Sequence, residues 1–117
     1  MTRIFSVTRV FTFDASHVLP WHDGRCARLH GHTYRLEVTV TGPLNDNGIV
    51  IDFADIKNAV RESALTTLDH SHLNDTIDNP TAENVAGWIL DAVTRAGIDA
   101  ARVRLWETPD CYAEVSP

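Results

Sequence analysis

Residues 30–40 read His-Gly-His-Thr-Tyr-Arg-Leu-Glu-Val-Thr-Val and give the clearest structural signal in the chain. From Thr33 onward, polar and apolar residues alternate. Because successive side chains of a strand point to opposite faces, this pattern predicts a strand with one buried and one solvated face. His30 and His32 stand two positions apart at its start, so both imidazoles are expected on the same face. This stretch therefore predicts a sheet and, at one end of it, a pair of possible metal ligands.

Patterns on both sides of this stretch add a strand and two helices. Residues 4–13 are rich in β-branched and aromatic side chains and predict a preceding strand. From Asp52 to Leu68, apolar residues recur at three- and four-residue steps, which predicts an amphipathic helix capped by Asp52. A second helix is expected from near Asn79 to Ala96-Gly97, with Asn79 or Thr81 as its N-cap.

Two short strands, at 102–108 and about 111–115, complete the order β-β-α-α-β-β. Strands grouped apart from helices are typical of an α+β fold, so we predict one domain over residues 1–117 with a four-stranded antiparallel sheet. Helices on one face leave the other face and both edges of this sheet open. Open edges pair readily with another chain, and we therefore expect a homo-oligomer.

Composition excludes several classes of protein. The chain has 117 residues, 44% of them hydrophobic and 22% charged, which is too apolar for intrinsic disorder. Its formal charge of −6 and the absence of a basic stripe argue against a nucleic-acid partner. No apolar run reaches the roughly 20 residues of a membrane span, and the N-terminus lacks the apolar region of a signal peptide. A cytoplasmic location is expected.

The chain has six histidines, and three of them have the spacing of a metal site. If the first two strands form a hairpin, His17 at the end of the first strand meets His30 and His32. Three imidazoles with an open fourth position are the arrangement of catalytic zinc. The alternative is that these histidines are satisfied by ordinary hydrogen bonds, which is the role we assign to His22 in the intervening loop.

Cys26 is the cysteine with chemical potential. It lies between Arg25 and Arg28 and four residues before His30, and neighbouring positive charge favours the reactive thiolate. It is therefore a candidate nucleophile, base or fourth metal ligand, and the spacing does not distinguish among these. A small buried apolar residue is the commoner role of a free cysteine. Cys111 lacks such neighbours and is interpreted as structural.

Asp69 and His70 follow the first helix and could form a proton-transfer pair if their loop folds over the metal. Alternatively, His70 is there because the helix dipole favours a histidine near the C-terminus.

Glu107 shares a strand face with Val103 and Leu105, where an unpaired carboxylate is costly. It should meet a cation or a polar ligand, and its two oxygens suit a guanidine-like edge. The alternative is a salt bridge to Arg104 or Arg35.

Taken together, these features resemble the 6-pyruvoyl-tetrahydropterin synthase superfamily, and within it the 6-carboxytetrahydropterin synthases. The similarity covers nearly the whole chain. It rests on seven blocks in order: Phe13-Asp14-Ala15-Ser16-His17, Cys26-x-x-x-His30-Gly31-His32, Gly48-Ile49-Val50-Ile51-Asp52-Phe53, Leu68-Asp69-His70, Leu73-Asn74, Pro80-Thr81-Ala82-Glu83-Asn84 and Glu107-Thr108. The resemblance implies the tunnelling fold, in which trimers close their sheets into a barrel and two trimers stack into a hexamer with active sites between subunits.

The resemblance also implies roles for single residues. One Zn²⁺ per subunit would be bound by His17, His30 and His32. The catalytic residues would be Cys26, Asp69, His70 and Glu107. Glu107 would anchor the pterin, and we place Thr81 and Arg28 among the substrate-binding residues.

The implied reaction converts 7,8-dihydroneopterin triphosphate to 6-carboxy-5,6,7,8-tetrahydropterin in queuosine biosynthesis, with release of acetaldehyde and triphosphate. Two alternatives remain: triphosphate elimination of the pyruvoyl type, and a non-catalytic zinc-stabilised assembly module. Relatives that carry glutamate in place of the cysteine act more like an aldolase, and Cys26 argues against that group.

Overall fold

The structure is a computed structural model that describes residues 3–117. Five strands form one sheet in the order β3-β1-β2-β4-β5. Their bounds are β1 Phe5–His17, β2 His30–Gly42, β3 Ser71–His72, β4 Arg102–Thr108 and β5 Cys111–Val115. All neighbours are antiparallel except β3, which pairs parallel with β1. The four predicted strands and the α+β class are confirmed.

The hairpin of β1 and β2 is the longest pairing in the sheet. It runs in one register from Phe5 opposite Gly42 to His17 opposite His30. Because both strands alternate with a period of two, this register places the odd-numbered residues of β1 and the even-numbered residues of β2 on one face. The predicted pairing of the histidine-bearing strand ends is therefore present.

The first helical segment is continuous along the chain but changes its winding. Helix α1, Phe53–Val60, is followed by a π-helical turn at Arg61–Leu65 and then by α2, Thr66–Leu68. Asp52 is its N-cap, as predicted, and its side chain accepts a hydrogen bond from the Ala54 N–H at 2.8 Å.

Helix α3, Ala82–Arg95, is capped by Thr81. The Thr81 hydroxyl accepts a hydrogen bond from the Asn84 N–H at 3.1 Å, so of the two candidate caps Asn79 is wrong and Thr81 is right. Asn79 accepts instead from the side chains of Trp21 and Asn84.

The core lies between the helices and the face of the sheet that they cover. Burying each large aliphatic or aromatic side chain there contributes about 1.5–3 kcal/mol. Its members with no exposed surface include Tyr34, Leu36, Val38, Ile56, Val60, Leu68, Leu73, Val85, Ile89, Val93, Val103 and Leu105. Within residues 3–117, no helix combines the length and hydropathy that a membrane crossing needs.

The short strand β3 is the element that the sequence does not predict. Where a loop was expected after the first helix, Ser71 and His72 pair with Ala15 and Ser16 of β1. Two residues are too few to show a periodicity, so the sequence pattern contains no signal for them. This pairing brings the preceding residues, Asp69 and His70, against the same end of β1 that carries His17.

Candidate metal and catalytic site

Three imidazoles meet where β1 ends and β2 begins. His17 and His30 face each other across the hairpin with their Nε2 atoms 2.9 Å apart. His32 lies two residues further along β2, and one nitrogen from each of the three rings lies within 4.8 Å of the others. His17 is fully buried, whereas His30 and His32 are half-buried. The predicted cluster is thus assembled with one side open to solvent.

The outer nitrogens of two rings are already engaged with the backbone. Nδ1 of His17 lies 2.8 Å from the Pro80 carbonyl oxygen, and Nδ1 of His30 lies 2.6 Å from the Arg28 carbonyl oxygen. Since a carbonyl can only accept, both Nδ1 atoms carry the proton. In the neutral rings each Nε2 then carries a lone pair, and two lone pairs face each other at 2.9 Å. Such a contact requires a proton or a metal cation between the rings, and backbone partners of this kind orient metal-binding histidines.

The environment of His32 also favours the neutral imidazole that a metal needs. Burial lowers the pKa of His32, and the neighbouring His17 and His30 lower it further, whereas the negative charge of Glu107 acts in the opposite direction. An imidazole that stays neutral keeps its lone pair for a cation.

Tyr34 extends the polar character of the site into the core. It follows His32 by two residues, packs its ring against Phe13 and has no exposed surface. Its hydroxyl has no hydrogen-bond partner among residues 3–117. Burial, with the nearby charge of Glu107, raises the pKa of this phenol, which therefore stays neutral. A buried hydroxyl without a hydrogen-bond partner is typical of a site that binds water, an ion or a polar ligand.

Glu107 on β4 reaches the imidazole cluster. Its Oε1 lies 3.5 Å from Nε2 of His17 and 3.8 Å from Nε2 of His32. The alternative salt bridges are not formed: Arg104 pairs with Glu114 at 2.5 Å, and Arg35 lies 3.7 Å from Glu37. The carboxylate, with 27% of its side chain exposed, is available to a ligand.

Cys26 lies on a 3-10 turn, Arg25–Ala27, in the loop between β1 and β2, and is half-buried. Among residues 3–117, the group of possible ligand atoms at the imidazole cluster that lie within 4.8 Å of one another consists of the three histidine nitrogens. The Sγ atom of Cys26 does not belong to it. This placement disfavours the closed four-ligand site, in which Cys26 would bind the metal.

Asp69 and His70 form the predicted acid–imidazole pair, with Oδ1 of Asp69 3.0 Å from Nδ1 of His70. Backbone groups of Asp14 in β1 hold both residues: its N–H donates to Asp69 Oδ1 at 3.0 Å, and its carbonyl accepts from the His70 N–H at 2.6 Å. His70 has a φ of +59°, a left-handed conformation that costs a non-glycine residue about 1–3 kcal/mol. Of the two, His70 lines the same surface pocket as His32.

The Asp14 N–H, with a smaller contribution from His70, holds the pKa of Asp69 below its usual range. Asp69 therefore stabilises the fold at pH values above its unfolded pKa of about 4, and this contribution is lost as the pH falls through the lower folded pKa. We expect the stability gap between the wild type and Asp69→Asn to be present at about pH 7 and to shrink at about pH 3. Urea unfolding at both pH values measures it, with Asp78→Asn on a nearby loop as the equal-charge control. The same gap at both pH values would contradict the expectation.

Thr81 and Arg28, which were predicted to bind substrate, also make structural hydrogen bonds. Thr81 uses its hydroxyl as the α3 cap, and Arg28 supplies the carbonyl that orients His30 while its side chain is exposed. His22 accepts a hydrogen bond from the Gly24 N–H, in keeping with the ordinary role assigned to it. Asp14 is a functional residue that the sequence does not predict, because its contribution comes from backbone groups that nearly every residue carries.

Comparison with known proteins gives this arrangement a family. The family model described as 6-pyruvoyl tetrahydropterin synthase matches residues 6–117. The chain belongs to this family. Among solved structures, the 6-pyruvoyl tetrahydropterin synthase of Caenorhabditis elegans superposes with a TM-score of 0.89 at 26% identity, over 99% of this chain and 97% of that one. The tunnelling fold expected from the resemblance is thereby confirmed at the level of the subunit.

Curated members of the 6-pyruvoyl tetrahydropterin synthase family carry more than one activity. The chain is 32% identical to the 6-carboxy-5,6,7,8-tetrahydropterin synthase of Haemophilus influenzae, with 95% of this chain and 98% of the relative covered. It is 38% identical to the dihydroneopterin monophosphate aldolase of Pyrococcus furiosus, over 82% of this chain and 83% of the relative. The chain is therefore similar to enzymes of pterin chemistry, and the choice of reaction requires a further argument.

Proposed function

We propose that the protein converts 7,8-dihydroneopterin triphosphate to 6-carboxy-5,6,7,8-tetrahydropterin, with release of acetaldehyde and triphosphate. The observation that carries this proposal is the facing pair of Nε2 lone pairs at 2.9 Å, beside a carboxylate that forms no ion pair with a lysine or arginine among residues 3–117. Similarity to curated 6-carboxytetrahydropterin synthases favours this reaction within the family. Cys26 favours it over the aldolase reaction.

His17, His30 and His32 fit a divalent metal, and zinc is the ion that three imidazoles with an open position suit best. One Zn²⁺ per subunit would supply Lewis acidity toward the side-chain hydroxyls of the substrate. The backbone hydrogen bonds at Pro80 and Arg28 fix the two rings that must present their Nε2 atoms to it.

Of the remaining residues, one would bind the pterin ring and three would transfer protons. Glu107 would accept two N–H groups from the 2-amino-pyrimidinone edge of the pterin, which positions the side chain of the substrate at the imidazoles. The Cys26 thiolate would remove a proton from that side chain. Asp69 and His70, held by the backbone of β1, would move protons at the opposite side.

Two further substrate contacts belong to the proposal. Arg28, whose side chain is exposed two residues before His30, would approach the triphosphate. Thr81 follows Pro80, whose carbonyl orients His17. Its hydroxyl accepts a hydrogen bond as the cap of α3 and would donate its own proton to the substrate.

The proposal includes an assembly and a location. The outer face of the sheet and its edge strands β3 and β5 are available for pairing, so trimers would close their sheets into a barrel and stack as a hexamer. Active sites would then lie between subunits. The cytoplasm is the proposed location, and queuosine biosynthesis the proposed pathway.

Incubation of the purified protein with 7,8-dihydroneopterin triphosphate tests the reaction. We expect acetaldehyde, triphosphate and a product with the mass of 6-carboxytetrahydropterin, and none of them from protein stripped of metal by a chelator. Triphosphate release without acetaldehyde would indicate the pyruvoyl-type reaction. Preferred cleavage of dihydroneopterin monophosphate would indicate the aldolase reaction. Absence of turnover with either substrate would favour the alternative of a non-catalytic, zinc-stabilised assembly module.

A further inference from the structure

Among residues 3–117, neither a lysine nor an arginine forms an ion pair with Glu107. Arg104 is engaged by Glu114, and Arg35 lies beside Glu37, which also accepts a hydrogen bond from Trp106. A carboxylate on the face of β4 that carries the buried Val103 and Leu105 needs a compensating positive charge. The nearest groups to Glu107 that could supply one are His17 and His32, or a cation bound by them.

The distances place the carboxylate close to the remaining corner of a metal tetrahedron. With metal–ligand bonds of about 2.0–2.1 Å, the edge between two donors of a tetrahedral zinc site is about 3.3 Å. Oε1 of Glu107 lies 3.5 and 3.8 Å from two of the Nε2 donors, compared with 2.9 Å between His17 and His30. Glu107 is outside the group of donors that all lie within 4.8 Å of one another, so its side chain must move to become the fourth donor.

We propose that Glu107 is the fourth metal donor of the pterin-free protein and that the pterin ring releases it. A carboxylate that turns both oxygens toward the two N–H groups of a 2-amino-pyrimidinone edge is no longer oriented toward the metal. Binding of the ring would therefore open the metal to the substrate hydroxyls at the moment when they arrive. This inference rests on the proposed metal site and on the pterin-anchoring role of Glu107, and adds a coupling between them.

The coupling has a definite sign. A ring that draws Glu107 away from the metal must weaken metal binding, and by linkage the metal must weaken binding of that ring by the same factor. A complete substrate recovers the loss because its hydroxyls replace the carboxylate. A pterin that lacks the side chain cannot do so, which makes it the appropriate probe.

Zinc affinity, measured by competition with a chromogenic chelator, tests the coupling without turnover. For Glu107→Gln we expect zinc binding to weaken by about 10-fold or more, because loss of even a group that only orients a metal ligand costs about 10- to 100-fold. Unsubstituted pterin should weaken zinc binding to the wild type and leave the variant unchanged. Glu114→Gln removes an equal charge from β5 and should behave as the wild type. Circular dichroism checks that each variant is folded.

Cobalt substitution gives a second readout. The visible spectrum of the Co²⁺ protein depends on the donor set, so pterin should shift the wild-type spectrum toward that of Glu107→Gln. Equal zinc affinity of wild type and Glu107→Gln, with no effect of pterin, would overturn the inference but leave the three-histidine site intact. If His30→Ala also bound zinc as tightly as the wild type, the proposed metal site itself would fail.

Discussion

Replacing Cys26 with alanine is expected to lower turnover of 7,8-dihydroneopterin triphosphate by about 10²- to 10⁴-fold, the usual contribution of a positioned acid–base group. Zinc content and oligomeric state should be unchanged. The reason is the separation between the thiol and the imidazole cluster: the three histidines can bind a metal without Cys26, whereas removal of a substrate proton would depend on it.

The surroundings of Cys26 indicate that alanine leaves the fold intact. The residue is half-buried on a short turn outside the hydrophobic core, and the loop is held by backbone groups, including a hydrogen bond from the Leu19 N–H to the Cys26 carbonyl at 2.8 Å. An alanine retains that carbonyl. Thermal unfolding of Cys26→Ala should therefore follow the wild type closely.

Cys111→Ala is the matched control because Cys111 is the other free cysteine and is exposed on β5. We expect it to retain wild-type turnover. Full activity of Cys26→Ala would overturn the catalytic assignment. Loss of zinc together with loss of the folded protein would favour the assembly module, in which the cysteine is a structural ligand.

The hairpin and its three histidines were predictable because they depend on a local rule. Alternation in β2 fixes which of its residues face the core, and a hairpin of two such strands brings His17 opposite His30. The two helices were likewise predictable from the spacing of their apolar residues and from capping residues such as Asp52. These parts of the fold and of the candidate site follow from short stretches of sequence.

The contacts that complete the site were not predictable, because each joins residues far apart in the chain. The Pro80 carbonyl orients His17 across 63 positions, and the backbone of Asp14 holds Asp69 across 55. Backbone donors and acceptors are the same in every residue, so no composition signal marks them. The left-handed conformation of His70 is likewise imposed by the packing of the loop against β1, since glycine is the residue that a sequence pattern associates with positive φ.

Loss of the metal is expected to have an effect as large as loss of the thiol. Lewis-acid stabilisation is worth several kcal/mol, which corresponds to a rate decrease of about 10³-fold or more. A chelator should therefore abolish turnover, and added Zn²⁺ should restore it. His30→Ala should bind less than one zinc per chain and should not be restored by stoichiometric Zn²⁺, because one of the three histidine donors is missing.

His30 is the ligand to replace because its side chain is half-buried, whereas His17 is fully buried and also bonded to Pro80, so that its loss would confuse folding with metal binding. His22→Ala is the matched control, since His22 lies in the loop that precedes β2 and its side chain accepts a hydrogen bond from the nearby Gly24 N–H, away from the imidazole cluster's donor set. Zinc content is measured by elemental analysis. Both zinc content and turnover should fall in His30→Ala, and both should remain at wild-type values in His22→Ala. Turnover that survives the loss of zinc would show that the chemistry belongs to the protein side chains alone, and the facing Nε2 atoms would then require a shared proton rather than a cation.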